Sequence, residues 1–202
     1  MKNTKEKILE AALNLFLQKG FAAVSIRDIC KEMTIKESTV YYHFENKQAI
    51  FDILLERFRS IGNEMMNGLE MEIADGFDVV NENFYRNLCE WFFEKYLMDD
   101  FCNKVIRLLS IEQFHNADVQ KIYTDWLLER PVQFQGKMLD ILMKEGVIEE
   151  CDSRLLAIRF YAPIYFFAQR WLFSGSLTEE NKQRFRENAF LQVENFFKEI
   201  LQ

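Results

Sequence analysis

The chain has little of what bends a backbone. Among 202 residues there are two prolines and seven glycines. An all-β protein needs many turns, and turns draw on both residues, so that class is excluded. The two histidines, His43 and His115, are far apart and accompany no acidic motif. The four cysteines, Cys30, Cys89, Cys102 and Cys151, are scattered. None forms a C-x-x-C pair and no Cys/His cluster has zinc spacing, so neither a metal site nor a disulfide framework is expected. No nucleophile–base pair or phosphate loop stands out, so neither an enzyme nor a cofactor is expected. No apolar run reaches about 18 residues, which leaves no membrane span. The first residues, MKNTKEKILEAAL, are charged and carry no apolar h-region, which predicts a cytoplasmic protein.

What is present is apolar, aromatic and helical in spacing. Hydrophobic residues make up 49% of the chain and no segment is repetitive, which argues against disorder. The net charge of −7 speaks against nucleic acid until the chain is divided. Residues 1–50 hold 8 Lys/Arg and 6 Asp/Glu, a balance of 8 − 6 = +2. Residues 51–202 hold 17 and 26, a balance of 17 − 26 = −9. The pattern is a slightly basic N-terminal module on an acidic body.

Helical periodicity runs from end to end. The first helix spans about residues 4–19, with Ile8, Ala12, Leu15 and Phe16 on one face and Gly20 as its stop. Ser25 and Asp28 form a variant capping box for a second helix, whose Ile26, Ile29, Cys30 and Met33 share a face. After Thr34-Ile35-Lys36, a third short helix covers about residues 37–44. Asn46 caps a fourth, about residues 47–71. Gly62, Gly68 and Gly76 cluster within or just after it, and the charge changes sign there. Further helices are expected at about 77–97, 101–115, 117–144, 152–173 and 178–201. Pro131 and Pro163 fall inside two of them and should kink both. The reading is all-α: a three-helix, helix-turn-helix domain at residues 1–47, with its motif at about 25–44, and a helical-bundle domain at 48–202.

The third helix exposes Glu37, Ser38, Thr39, Tyr41, Tyr42 and His43, and only Val40 and Phe44 are plainly core. So short a helix, burying so little, wants a partner surface. Hydroxyl and aromatic groups of this kind bind phosphates and base edges in a major groove. Lys47 adds a cation at the start of the next helix.

The segment SIRDICKEMTIKESTVYYHFENKQAI resembles the TetR family of bacterial one-component regulators. The resemblance rests on Ile26, Ile29 and Cys30, then Thr39-Val40-Tyr41-Tyr42-His43-Phe44, then Asn46-Lys47. Phe16 and Gly20-Phe21 extend it to roughly residues 5–54, and beyond that only length and helix count agree. It implies a homodimer that binds a palindromic double-stranded DNA operator and is released by a small effector. Carried over by position, Ser25 and Arg27 meet DNA from the second helix. Lys36, Glu37, Ser38, Thr39, Tyr41, Tyr42 and His43 do so from the recognition helix, and Lys47 from the fourth. Two residues depart from the family pattern. Thr34 stands where glycine is usual, and Lys36 where Ser or Thr usually caps.

Residues 61–202 hold 23 of the 30 aromatic residues, the other 7 lying in residues 1–60. Most are bundle core. Effector pockets are nevertheless apolar with a few polar groups, which makes Trp91, Arg107, Glu112, Gln113, His115, Trp126, Phe134, Tyr161 and Gln169 the candidates for effector contact. The last two helices are apolar on several sides, which places a dimer seam at Phe167, Trp171, Phe190, Val193 and Phe197. The functional expectation is a repressor, with an effector-independent regulator or activator as the alternative.

Overall fold

The computed structural model describes residues 3–74 and 82–201. Gly76 and the expected helix start at Phe77 lie outside them. Every regular element among the described residues is helical. In chain order these are α1 (Thr4–Lys19), α2 (Ile26–Met33), α3 (Glu37–His43), α4 (Lys47–Ala74), α5 (Glu82–Phe92), α6 (Asp100–Glu112), α7 (Ala117–Thr124), α8 (Arg130–Lys144), α9 (Ser153–Ala168) and α10 (Glu179–Ile200). Among the described residues, no helix is long and apolar enough to cross a membrane.

Local chemistry sets the N-terminal boundaries. Asn3 accepts from the Glu6 amide, and Gly20 ends α1 at a positive φ of 80°. Ser25 and Asp28 complete the capping box reciprocally: Ser25 Oγ accepts the Asp28 amide, and Asp28 accepts the Ser25 amide at 2.8 Å. The Ser25 hydroxyl, and after it the Ser25 amide, donates to the Asp28 carboxyl and holds it below its ordinary pKa. Thr34 closes α2 in the left-handed region at φ 56°. A Cβ there costs roughly 1–2 kcal/mol. The turn nevertheless keeps its bond from the Ile35 amide to the Cys30 carbonyl. Lys36 gives α3 no side-chain cap. An uncapped helix of seven residues is not stable alone. Tertiary burial holds it, through Val40 and Phe44, against Ile8, Phe16 and Ile29 of the same buried core.

Helix α4 belongs to both halves of the molecule. Its first turns place Phe51 against Phe16 and Phe21, with ring centroids 6.2 and 4.7 Å apart. Gly62 and Gly68, which cluster near the expected domain boundary, lie inside this unbroken helix. A Cβ on Gly62 would sit 2.2 Å from the Trp126 ring, and one on Gly68 2.7 Å from Trp91. The glycines are there so that two indoles can approach the α4 backbone.

Three wide π-helical turns, Phe93–Leu97, Asp125–Glu129 and Gln169–Phe173, interrupt the C-terminal helices. Wide turns misplace backbone partners, and the orphaned carbonyls need other donors. Fully buried Asn103 donates through Nδ2 to the carbonyls of Leu97 and Leu172, at 3.2 and 3.1 Å. Pro131 has no N–H for Leu127, one turn back. The Tyr161 hydroxyl donates to that carbonyl instead, at 2.9 Å. Pro163, by contrast, stays within the unbroken run of α9.

Candidate nucleic-acid interface and regulatory cleft

Helices α2 and α3 meet across the Thr34 turn and leave one polar-aromatic surface outside. Tyr42 is 84% exposed and Tyr41 52%, although both belong to a helix whose next neighbour, Val40, is fully buried. Ser38 and Lys36 are exposed, while Thr39 and His43 are half-buried, His43 lying edge-on to Tyr42 at 4.9 Å. Hydroxyls, an ammonium and two rings on one short helix suit phosphate and base-edge contacts.

Four of the candidate DNA-contacting residues are already engaged. Arg27 Nε donates to Glu37 Oε1 at 3.1 Å, an exposed pair that contributes little to stability. Ser25 Oγ donates to Asp28 Oδ2 at 2.6 Å, so its proton serves the capping box and not a phosphate. Lys47 departs furthest from its expected role. Its Nζ donates to the carbonyls of Phe21 and Val24, both at 2.7 Å, and lies 3.4 Å from that of Ala22. It also sits 4.3 Å from the centroid of the Phe21 ring. The side chain clamps the α1–α2 loop and does not reach outward.

Phe21 is held from the other side as well. Its amide donates at 2.8 Å to Oε1 of Glu112, a buried residue at the C-terminal end of α6. Glu112, expected near an effector, is instead a direct strut from the C-terminal body to the loop leading into α2. Helix α6 also packs on α1, and Arg57 of α4 bridges to Glu6 at 2.7 Å.

Among the described residues, an apolar cleft lies between α4, α5, α8 and α9. It encloses about 630 Å³ of empty space, its open mouth included. Phe134 and Tyr161 line it as expected, together with Met66, Tyr85, Cys89 and Gln135. Burial pushes the Cys89 thiol up to about 12 and the Tyr85 and Tyr161 phenols higher still, so all three stay neutral near pH 7. The remaining effector candidates lie elsewhere. Trp91 and Trp126 are seated on the α4 glycines. Gln113 donates to the Ser110 carbonyl, His115 is exposed beyond α6, and Arg107 sits half-buried on α6, outside the cleft wall. Gln169 donates to the hydroxyls of Tyr123 and Tyr165, at 3.0 and 2.7 Å. Gln135 was missed because a glutamine among helical polar residues has no sequence signal; only the fold turns it inward.

The residues expected at a dimer seam lie as follows. Val193 and Phe197 are buried within their own chain, and Phe197 packs on Tyr85 at 4.1 Å. Phe190 lies on Phe93 at 5.4 Å, beneath the Arg86 guanidinium at 4.5 Å. Trp171 lies beside Arg170 and Arg184, and Phe167 is half-buried. The apolar residues of α9 that face out are Leu155, Ile158, Ala162 and Phe166, spaced by 3, 4 and 4, on one helical face.

Residues 8–54 match the family model for bacterial regulatory proteins, tetR family. The biofilm operon icaADBC HTH-type negative transcriptional regulator IcaR of Staphylococcus epidermidis is 22% identical, over 96% of this chain and 99% of that one. A solved structure from Mesorhizobium loti, described as a TetR-family transcriptional regulator, superposes with a TM-score of 0.70 at 20% identity, covering 98% of this chain and 96% of its own. A Saccharomonospora viridis transcriptional regulator in complex with choline gives 0.65 at 24%, covering 98% and 97%.

The Arg27–Glu37 pair sharpens one expectation. A carboxylate on a DNA-facing helix repels phosphates, yet Glu is a good acceptor for a cytosine amino group. With Oε1 on Arg27, Oε2 is the atom that would read the base. Glu37→Gln should raise affinity for random DNA, since it removes a negative charge and weakens the hold on Arg27. It should also relax preference at one symmetric operator position by about 1–3 kcal/mol. Selection on randomised operators checks this. An unchanged logo with uniformly raised affinity means that Glu37 reads no base.

Proposed function

We propose that this chain, a DNA-binding transcriptional regulator that belongs to the TetR family, is a cytoplasmic homodimeric repressor that a small, largely apolar molecule releases from a palindromic operator. The observation that carries this reading is the strut at Phe21. Its amide is tied to Glu112 of the C-terminal body, and its carbonyl to Lys47 at the start of α4. Met66, further along α4, lines the apolar cleft. One helix thus runs from the cleft to the loop that leads into α2, and Glu112 of α6 holds the same loop.

In this reading the boundary falls in α4, with the helix-turn-helix domain at 1–47 and the regulatory domain at 48–202. Ser25 shapes the interface through the capping box, and Lys47 through its carbonyl clamp. Arg27, Lys36, Glu37, Ser38, Thr39, Tyr41, Tyr42 and His43 face the operator. The occupant of the exposed α9 stripe is a second copy of this chain. An effector that binds better when the two recognition helices are wrongly spaced draws the population away from the operator-bound state. IcaR, a negative regulator by name, favours repression over activation.

The test is a genomic binding selection with the purified protein, followed by a salt series on the selected site. Arg27 and Lys36 from each protomer place about four cations at phosphates, which gives a slope of log K against log salt of roughly −4. A slope near zero, or no enriched site, would overturn the reading.

A further inference from the structure

We infer that the effector is an uncharged, mainly apolar molecule carrying one hydrogen-bond acceptor, and that Gln135 Nε2 donates to it. This rests on the effector reading above. Gln135 is only 9% exposed, on a wall of the cleft, and its Nε2 has no hydrogen-bond partner. A buried amide donor left unpaired is unfavourable, so a ligand acceptor that satisfies it gains more than the same group would gain from water. Among the described residues the rest of the wall is thioether, thiol, aliphatic and aromatic, with the phenol hydroxyls of Tyr85 and Tyr161 and no Asp, Glu, Lys, Arg or His. A carboxylate or ammonium entering it would be stripped of water with no opposite charge to meet. The rings of Phe92, Phe134 and Phe160 would offer their faces to a cation, as aromatic cages do. The Gln135 amide hydrogens oppose that choice, because a donor dipole repels positive charge.

The experiment compares four probes of matched length: methyl octanoate, octanoate, octyltrimethylammonium and nonane. Each is titrated into the full-length protein by calorimetry, and each is tested for release of the selected operator. The ester is expected to bind about tenfold more tightly than nonane, the worth of one good neutral hydrogen bond, and more tightly than either ion. Gln135→Leu is expected to erase the gap between ester and hydrocarbon, to leave nonane binding intact, and to raise the melting temperature of the unliganded protein by removing an orphaned donor. Equal affinity for ester and nonane in the unaltered protein overturns the inference while leaving the effector reading in place. So does tightest binding by octanoate or by the quaternary cation. Should none of the four bind or move the operator equilibrium, the effector reading falls and this inference with it.

Discussion

Phe166→Glu is expected to give folded monomers that have lost specific operator binding. Phe166 is 63% exposed in the single chain, so the substitution removes little of the chain's own packing and should cost its folding about 0.5 kcal/mol or less. In the proposed dimer the same position ends the stripe that Leu155, Ile158 and Ala162 begin, where a carboxylate would be desolvated against an apolar partner surface. Losing the dimer separates the two recognition helices, and affinity for a two-half-site operator should fall about a hundredfold or more. Affinity for a single half-site should hardly change. Sedimentation, circular dichroism and binding to full and half operators separate these effects. Phe190→Glu is the control. There the new carboxylate lands beside Arg86, inside the chain's own α5–α10 packing, so the protein should lose stability but remain dimeric. A dimeric Phe166→Glu protein would mean that the partner copy docks elsewhere.

The contrast between Phe166 and Phe190 shows where sequence reading stops. The caps were legible because Ser25, Asp28 and Asn46 act on amides three residues away, and such distances are fixed by the helix itself. The split of α3 into buried Val40 and exposed Tyr41 and Tyr42 was legible for the same reason: neighbours on a short helix point to different sides. Helix α9 is apolar nearly all round, so its periodicity cannot say which face meets α8 and α10 and which faces out. Nor could spacing foresee that Gly62 and Gly68 seat indoles, or that Asn103 serves carbonyls in two wide turns. Each of those facts is a meeting of residues far apart in sequence. Lys47 is the clearest case. As the first residue of a helix behind a recognition motif it has the position of a phosphate contact, and only the folded loop reveals its carbonyl partners.

That clamp gives the second large effect. Lys47→Met keeps the aliphatic stem and removes the ammonium, leaving the Phe21 and Val24 carbonyls without their short charge-assisted bonds. Hydrogen bonds to charged groups contribute roughly 1.5–3 kcal/mol each. Lys47 is only half-buried, and water can reach part of the site, so the net loss should be about 2–3 kcal/mol and not the sum of two full bonds. Val24 immediately precedes the Ser25 cap, so loosening it frees the start of α2 and, across the Thr34 turn, the angle of α3. Affinity should fall about tenfold or more for operator and random DNA alike, with the salt slope unchanged, because no phosphate contact has been removed. A direct phosphate contact would behave oppositely: the slope would become shallower by about two per dimer, and stability would hold. Glu112→Leu supplies the complementary result. It strips the acceptor from the Phe21 amide but leaves Lys47 in place, so the isolated loop keeps its shape while its tie to α6 is cut. That variant should bind operator with nearly unaltered affinity and respond several-fold less to the effector. If Lys47→Met leaves the melting curve where it was and flattens the salt slope, the lysine contacts phosphate in the complex, and the strut is not the route by which the cleft reaches the DNA.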